Sequence, residues 1–431
     1  MNYFISCPLP GKQPDSQENG MNPVALSLYL HFPFCLSKCS YCNFNSYAGM
    51  ERLIPDYLGA MEKEILLWKM FAREYSSQSS FHEEFQVETV YFGGGTPSLL
   101  QPEQIAYVIE RCRAFPFAVA PEITLEANPG TVQEKFFARI RRAGVNRLSL
   151  GAQSFNDGCL KLLGRIHSAN EAREAFLCAR KAGFDNINMD LIYALPGQTM
   201  PCWQNTLEEA LRLHPEHLSL YSLTLEEGTP LAGWVKAGLL PLPDGDLAAD
   251  MYLLAEEILD REGYSHYEIS NWAVPGKECR HNLAYWKNTS YLGVGAGAHS
   301  FLFGHRFAGV SSPQEYVEKL SALERLPPSF LEVGGEKSHL DFVEGADVER
   351  EMSDTVIMGL RLQEGIDLAS FAGRFQRELL PAYRQEIEEL VELGLLDADE
   401  KGIRLSGRGK LLGNEVFMRF LPPNSTGSAL S

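Results

Sequence analysis

From residue 24 to about 270, short runs rich in β-branched and aromatic residues alternate with longer stretches whose apolar positions recur at helical spacing. The short runs predict strands at Ala25–Phe32, Val87–Phe92, Glu122–Glu126, Arg147–Ala152, Asn186–Ile192, His217–Leu223 and Tyr264–Ser270. The longer ones predict helices near Pro55–Phe71, Pro102–Arg113, Gln133–Ala143, Glu171–Ala182, Cys202–Leu213 and Gly245–Glu262. Several of these end in a helix-stopping glycine, as at Gly144, Gly183 and Gly263. Regular alternation of this kind means parallel strands with helical crossovers, an α/β architecture. Six or more successive units favour a partial (β/α) barrel. Asn271–Val310 reads as loop-rich, and a polar, turn-rich break falls near Pro327–Lys337. Beyond it, Thr355–Leu362, Leu368–Phe375 and Leu380–Leu393 predict helices, then come a hairpin turning at Glu400–Gly402 and a last helix. The expected organisation is a flexible extension over 1–22, a barrel over 23–270, a linking region over 271–340, a small helical, winged-helix-like unit over 341–420 and a frayed tail over 421–431.

In folds of this class, ligands sit at the carboxyl ends of the strands. The first strand end carries Cys35, Cys39 and Cys42, three thiols within eight residues. They are too crowded for ordinary disulfide pairing, and soft thiolates select zinc, copper or iron–sulfur clusters. In a four-iron cube, three thiolates leave one iron without a protein ligand, open to a substrate or cofactor. Spacing alone leaves zinc and a cluster both open. The following strand ends are unusually polar: Gly93-Gly94-Gly95-Thr96-Pro97, then Glu126 and Asn128, Gln153 and Ser154, Asp190, and Tyr221, Ser222 and Thr224. Asp190 stands inside an apolar run, where a charge is costly unless paired or functional.

Composition narrows the class. A chain of 431 residues with 45% apolar content can bury a large core, and a net charge of −18 argues against non-specific binding to nucleic acid or anionic membrane. The C-terminal helices are acidic and lack a basic stripe, which points to packing or partner binding rather than DNA. Nine cysteines, mostly scattered singly, exclude a disulfide framework and indicate a reducing compartment. There is no apolar run of about 18 residues to span a bilayer, and the first residues lack the pattern of a signal peptide. The expectation is a soluble cytoplasmic protein of undetermined oligomeric state, with Met21 as an alternative start.

The motifs, taken together, carry a resemblance. The thiol trio after a first strand, followed by a glycine-rich second strand end, resembles the radical S-adenosylmethionine (SAM) superfamily. More narrowly, YLHFPFC, YFGGGTPSLL, RLSLGAQSF and DLIYALPGQT are similar to the oxygen-independent coproporphyrinogen III oxidase family, over residues 24 to about 420. The resemblance implies that Cys35, Cys39 and Cys42 hold a 4Fe–4S cluster whose free iron chelates SAM, and whose reduction cleaves the sulfonium to a 5′-deoxyadenosyl radical. Tyr29 and His31 match positions beside the cluster. Gly94, Gly95 and Thr96 match the site of the SAM amino group, and Glu126, Gln153, Arg165 and Asp190 match polar positions around SAM. Without that register, Arg165 would pass for an ordinary surface arginine and GGGTP for a plain turn.

Two departures choose a branch. The oxidases carry a further cysteine two places after the third; this chain has Phe44. It also has His281-Asn282-Leu283-Ala284-Tyr285-Trp286, similar to the HNxYW motif of HemW-type haem chaperones, which lack oxidase activity. The resemblance implies haem as a third cofactor, bound through His281, Asn282, Tyr285 and Trp286. Partners would then be an acceptor protein of unknown identity and, at the periphery, membrane respiratory proteins. An imidazole can ligate haem iron and aromatic rings can pack on a porphyrin, with Cys279 and His299 as weaker ligands. The bland reading of the same run is a core-facing loop, and the runner-up function is oxidative decarboxylation of coproporphyrinogen III.

Overall fold

A computed structural model describes residues 23–78, 84–326 and 338–422. The expectations for the N-terminal extension, for Met21, for the break at 327–337 and for the tail from 423 lie outside these residues.

The first strand, β1 (Val24–Phe32), runs into a loop that holds a two-residue parallel pair, β2 (Phe34–Cys35) and β3 (Tyr47–Ala48), before α1 (Ile54–Gln78). Next come β4 (Phe85–Gly94), α2 (Pro102–Cys112), β5 (Phe117–Ala127), α3 (Glu134–Ala143) and β6 (Arg147–Gln153). Two helices, α4 (Asp157–Leu162) and α5 (Ala169–Lys181), precede β7 (Ile187–Tyr193), and α6 (Met200–Leu211) precedes β8 (His217–Ser222). Every neighbouring pair from β1 through β8 in the main sheet is parallel. Helices start where the capping chemistry allows: Ser168 accepts from the Glu171 amide while Glu171 reaches back to Ser168, and Gly144 closes α3 at φ 115°.

The seventh strand departs from expectation. After α7 (Pro230–Lys236) and α8 (Gly245–Arg261), the chain forms β9 (Ser265–Glu268) and folds back as β10 (Asn271–Ala273), which pairs antiparallel with both β8 and β9. The stretch that reads as loop is also more ordered than its pattern suggests. It contains α9 (Arg280–Trp286), β11 (Tyr291–Val294), β12 (His299–Leu302) and β13 (His305–Gly309); α10 (Pro313–Ala322) and β14 (Leu340–Glu344) follow. Strands of three to five residues, interrupted by glycine, are too short to register as alternation. β11 lies parallel on the free side of β1. The full order is β14-β13-β12-β11-β1-β4-β5-β6-β7-β8-β10-β9, an open, curled sheet: a partial barrel.

The sheet has two unlike faces. Leu26, Leu28, Leu30 and Phe32 of β1 are buried in one apolar cluster with Trp68 of α1 and Trp203 of α6. Each such side chain contributes roughly 1.5–3 kcal/mol. The alternate positions are polar and meet one another: Tyr91 donates to Glu126, Ser149 to Asp190, and Asn188 to Ser149. The C-terminal unit has its own apolar cluster, including Val356, Phe371, Leu390 and Phe417, and a three-stranded sheet of β15 (Ile366–Asp367), β17 (Gly402–Leu405) and β16 (Leu396–Ala398). It joins the barrel edge through a bridge between Glu268 and Leu362.

Candidate functional site

The carboxyl ends of the strands surround a cavity of about 420 Å3. Cys35, Cys39 and Cys42 all line it, together with Gly94, Gly95, Thr96, Glu126, Gln153, Arg165 and Asp190. Residues from five strand ends and the loop after α4 thus converge as the sequence suggests. The thiol loop is held from below and from the side. Gly95 N–H donates to Phe32 O at 2.9 Å and Thr96 N–H to Phe34 O at 2.8 Å. A Cβ on Gly95 would stand 2.7 Å from Phe34 O, so only glycine admits this approach. Ser40 ties the loop to its neighbour: its amide donates to Leu163 O at 3.0 Å and its hydroxyl to Leu162 O at 2.7 Å.

The donors on the sulfurs match thiolates. Thr96 Oγ1 donates to Cys35 Sγ at 3.5 Å, and Arg165 Nη1 to Cys39 Sγ at 3.4 Å, while Arg165 Nη2 holds Gly151 O at 2.9 Å. Burial nevertheless pushes the Cys35 thiol up, so the free protein keeps it protonated more than a solvated thiol would be. Among the described residues no three His, Cys, Asp or Glu side chains gather tightly enough for a single metal ion.

Three carboxyl groups line the cavity, Glu126, Asp190 and Glu226, and the first two are shifted from their ordinary ionisation. Burial first, then the Asp190 charge, push the Glu126 carboxyl up to about 8, against a hydrogen bond of 2.9 Å from Tyr91. Asp190 is raised as well by burial, in spite of bonds from Ser149 at 3.0 Å and Asn188 at 2.8 Å. At about 8, Glu126 keeps its proton at neutral pH. A ligand presenting a cation or hydroxyl donors would relieve both.

Not every expected residue reaches the cavity. Tyr29 stands beneath it: its hydroxyl bonds His31 Nδ1 at 3.0 Å, and His31 Nε2 bonds Asn45 O at 2.9 Å, so both support the loop from behind. The HNLAYW run lies on α9 at the far end of the barrel interior. His281 is 1% exposed, and both its ring nitrogens are engaged, Nδ1 with the Thr89 hydroxyl at 2.7 Å and Nε2 with the Tyr285 hydroxyl at 3.0 Å. Its ring stacks on Tyr91 at 5.0 Å, and burial pushes its pKa down to about 3, keeping it neutral. Glu122 caps this end of α9 by accepting from the amides of Arg280 and His281, each at 3.2 Å. Cys279 is buried beside it, its thiol pushed up to about 12. Asn282, Tyr285 and Trp286 do not line the cavity either. His299 is at the start of β12, and His266 bonds Glu256 at 3.2 Å as a structural histidine.

Tyr91 was not among the expected site residues, yet it lines the cavity and links it to His281. The polar side chain at every second position of β4, Thr89 then Tyr91, carried that signal. Phe44 stands at the rim, 63% exposed.

Comparison with known proteins agrees with this geometry. Residues 29–210 match the radical SAM superfamily model and residues 347–412 the HemN C-terminal domain model. The chain is 36% identical to the heme chaperone HemW of Lactococcus lactis over 92% of this chain and 97% of that one. It is 34% identical to the Bacillus subtilis heme chaperone HemW (92% and 99% covered), and 34% identical to a mitochondrial radical S-adenosyl methionine domain-containing protein 1 of Danio rerio (92% and 87%). The solved coproporphyrinogen III oxidase (HemN) of Escherichia coli superposes with a TM-score of 0.74 at 25% identity, over 92% of this chain and 90% of that one. With a thiol-lined barrel mouth, a HemN-type C-terminal unit and similarity over nearly its whole length, the chain belongs to the HemW family of the radical SAM superfamily.

Proposed function

We propose that the chain holds a 4Fe–4S cluster and SAM at the barrel mouth, binds haem, and hands it to an acceptor protein. The observation that carries this reading is a three-thiol mouth with Phe44 where the oxidases keep another cysteine, in a chain similar end to end to heme chaperones. Cys35, Cys39 and Cys42 are the cluster ligands in this reading, with Thr96 and Arg165 stabilising thiolate charge. When bound and reduced, such a cluster supplies the electron that cleaves SAM. Gly94, Gly95 and Thr96 offer backbone groups to the amino end of SAM. Arg165 and Gln153 suit its carboxylate, and Glu126 and Asp190 suit hydroxyl or ammonium donors. For His281 to ligate iron it would have to give up one of its two partners, the Thr89 hydroxyl at Nδ1 or the Tyr285 hydroxyl at Nε2.

Among the described residues no helix is long and apolar enough to cross a membrane. The test is anaerobic reconstitution followed by haem titration, run beside SAM-cleavage and coproporphyrinogen assays. A saturable Soret change without vinyl product is expected. Conversion of coproporphyrinogen III with SAM and reductant would overturn the reading in favour of the decarboxylase.

A further inference from the structure

Two thiols that do not line the cavity meet at van der Waals distance. Cys159 Sγ, on α4, lies 3.8 Å from Cys202 Sγ, on α6, and the two residues are 43 positions apart in the chain. Both are free thiols and both are half-buried, so a small reagent reaches them from solvent. Each is held by its backbone. The Asn156 side chain caps α4 by accepting from the Cys159 amide at 3.1 Å. Cys202 follows directly on the LPGQT turn, a motif of the sequence for which the cavity has no use. The two segments touch again where the Ser154 and Thr206 hydroxyls stand 3.3 Å apart.

A disulfide brings its sulfurs to about 2.05 Å, so closing this pair has to take up the difference between α4 and α6. What α4 carries makes such a shift matter. Just past Cys159, Leu162 O accepts from the Ser40 hydroxyl at 2.7 Å and Leu163 O from the Ser40 amide at 3.0 Å, next to Cys39. Leu160 O accepts from the Arg165 amide at 2.9 Å, and the guanidinium of Arg165 holds Cys39 Sγ. Cys159 also packs, with Tyr41, on an apolar cluster in which Ile192 and Leu223 line the cavity.

We propose that Cys159 and Cys202 form a thiol–disulfide switch, whose closure loosens the hold of Arg165 and Ser40 on the Cys39 loop and lowers the affinity for SAM. The effect on SAM rests on the SAM-binding reading above; closure of the pair does not. The oxidant is a small-molecule disulfide of the glutathione type. The Cys202 thiolate attacks one of its sulfurs, that S–S bond breaks, and one small thiolate leaves. Cys159, its proton passed to solvent, then attacks Cys202 Sγ and expels the second small thiolate. Two protein thiols lose two electrons, one small disulfide is reduced to two thiols, and the two protons end on those thiols. Burial, and then the neighbouring Cys202, push the Cys159 thiol up, which makes it the second sulfur to act.

The experiment uses the full chain with reconstituted cluster, so that Cys35, Cys39 and Cys42 are occupied. It is equilibrated anaerobically with oxidised glutathione, mapped by peptide mass spectrometry, and titrated with SAM by calorimetry. Expected are a peptide pair linked through Cys159 and Cys202 and a SAM dissociation constant about fivefold above that of the reduced chain. Dithiothreitol should reverse both. Cys202→Ser and Cys159→Ala should each keep the reduced chain's affinity in oxidised glutathione, and having one variant on each helix covers the loss of either to misfolding. The proposal is overturned if both thiols stay free, if only a mixed disulfide forms, or if the link forms with SAM affinity unchanged. It is equally overturned if the variants lose affinity as the unaltered chain does. A reduced chain that binds no SAM would overturn the SAM reading and the switch of its affinity together, and the linked peptide would still show whether the pair closes.

Discussion

The two ends of the barrel interior are built from the same kinds of residue and behave in opposite ways. At the mouth, Cys35, Glu126, Asp190 and Arg165 line an open cavity, and the acids are held away from their ordinary ionisation. At the far end, His281, Glu122, Thr89 and Tyr285 are closed on one another by hydrogen bonds of 2.7 to 3.2 Å. Polar residues inside a barrel therefore do not by themselves mark a ligand site. What marks it is capacity left over: donors and acceptors whose bonding is incomplete until something else arrives.

That contrast can be broken by substitution. The largest effect belongs to the mouth. Replacing Cys35, Cys39 and Cys42 by Ala should abolish the visible absorbance of a reconstituted cluster, and iron and sulfide assays should read near zero. A triple variant that still held both in stoichiometric amounts would end the cluster assignment. Next comes the far end, where His281→Ala should act on folding. The lost packing and the stranded Thr89 hydroxyl should cost roughly 3 kcal/mol of unfolding free energy, read by denaturant melts, with the cluster spectrum unchanged.

The far end also has a sign. The His281 pKa is about 3 when folded and lies near 6.5 in a solvated chain, so between those values the unfolded state binds the extra proton. His281 thus contributes stability that is present in full above about pH 6.5 and is lost as pH falls toward 3. His281→Gln should flatten that part of the stability profile.

Two smaller effects sharpen the mouth. Arg165→Lys keeps a charge but loses the fork that spans Cys39 and Gly151; SAM affinity should fall about tenfold with cluster content intact. Glu126, titrating near 8 in the free protein, must shed its proton to meet a ligand's ammonium group. SAM affinity measured by calorimetry should then rise between about pH 7 and 9, and Glu126→Gln should remove the slope. A flat profile in the unaltered chain would mean the acid pair does not face the ligand's cation.

The mouth was legible because its residues sit at strand ends, where the pattern breaks from apolar to polar within a few positions: Gly94-Gly95-Thr96 at the end of β4, Gln153 at the end of β6. The six parallel strands were legible for the same reason, being long enough to show a run. The far end was not. Whether His281 turns toward a ligand or into the sheet depends on Thr89 and Glu122, partners 192 and 159 positions away, and no local pattern encodes that pairing. β10 and β11 escaped because three or four residues do not make a period. Tyr29 differs again: it pairs in register with Tyr91 and shares its face, but its hydroxyl is taken up by His31 and it does not line the cavity.

The thiol loop has a further consequence, for the order in which the molecule is made. Its three cysteines lie near the start of the chain, but what fixes them comes much later. Ser40 is anchored to Leu163 and Leu231, and the Asn45 amide to Ala296 O and Ser311 O at 3.0 and 2.9 Å. Gly297 leaves the space that Asn45 fills, since a Cβ there would collide with its amide nitrogen. During synthesis the loop therefore waits, unpinned, for a partner that lies 266 positions beyond Asn45. Contacts of such sequence separation close slowly, and the geometry around the three thiols is complete only once the chain as far as Ser311 has been made and packed.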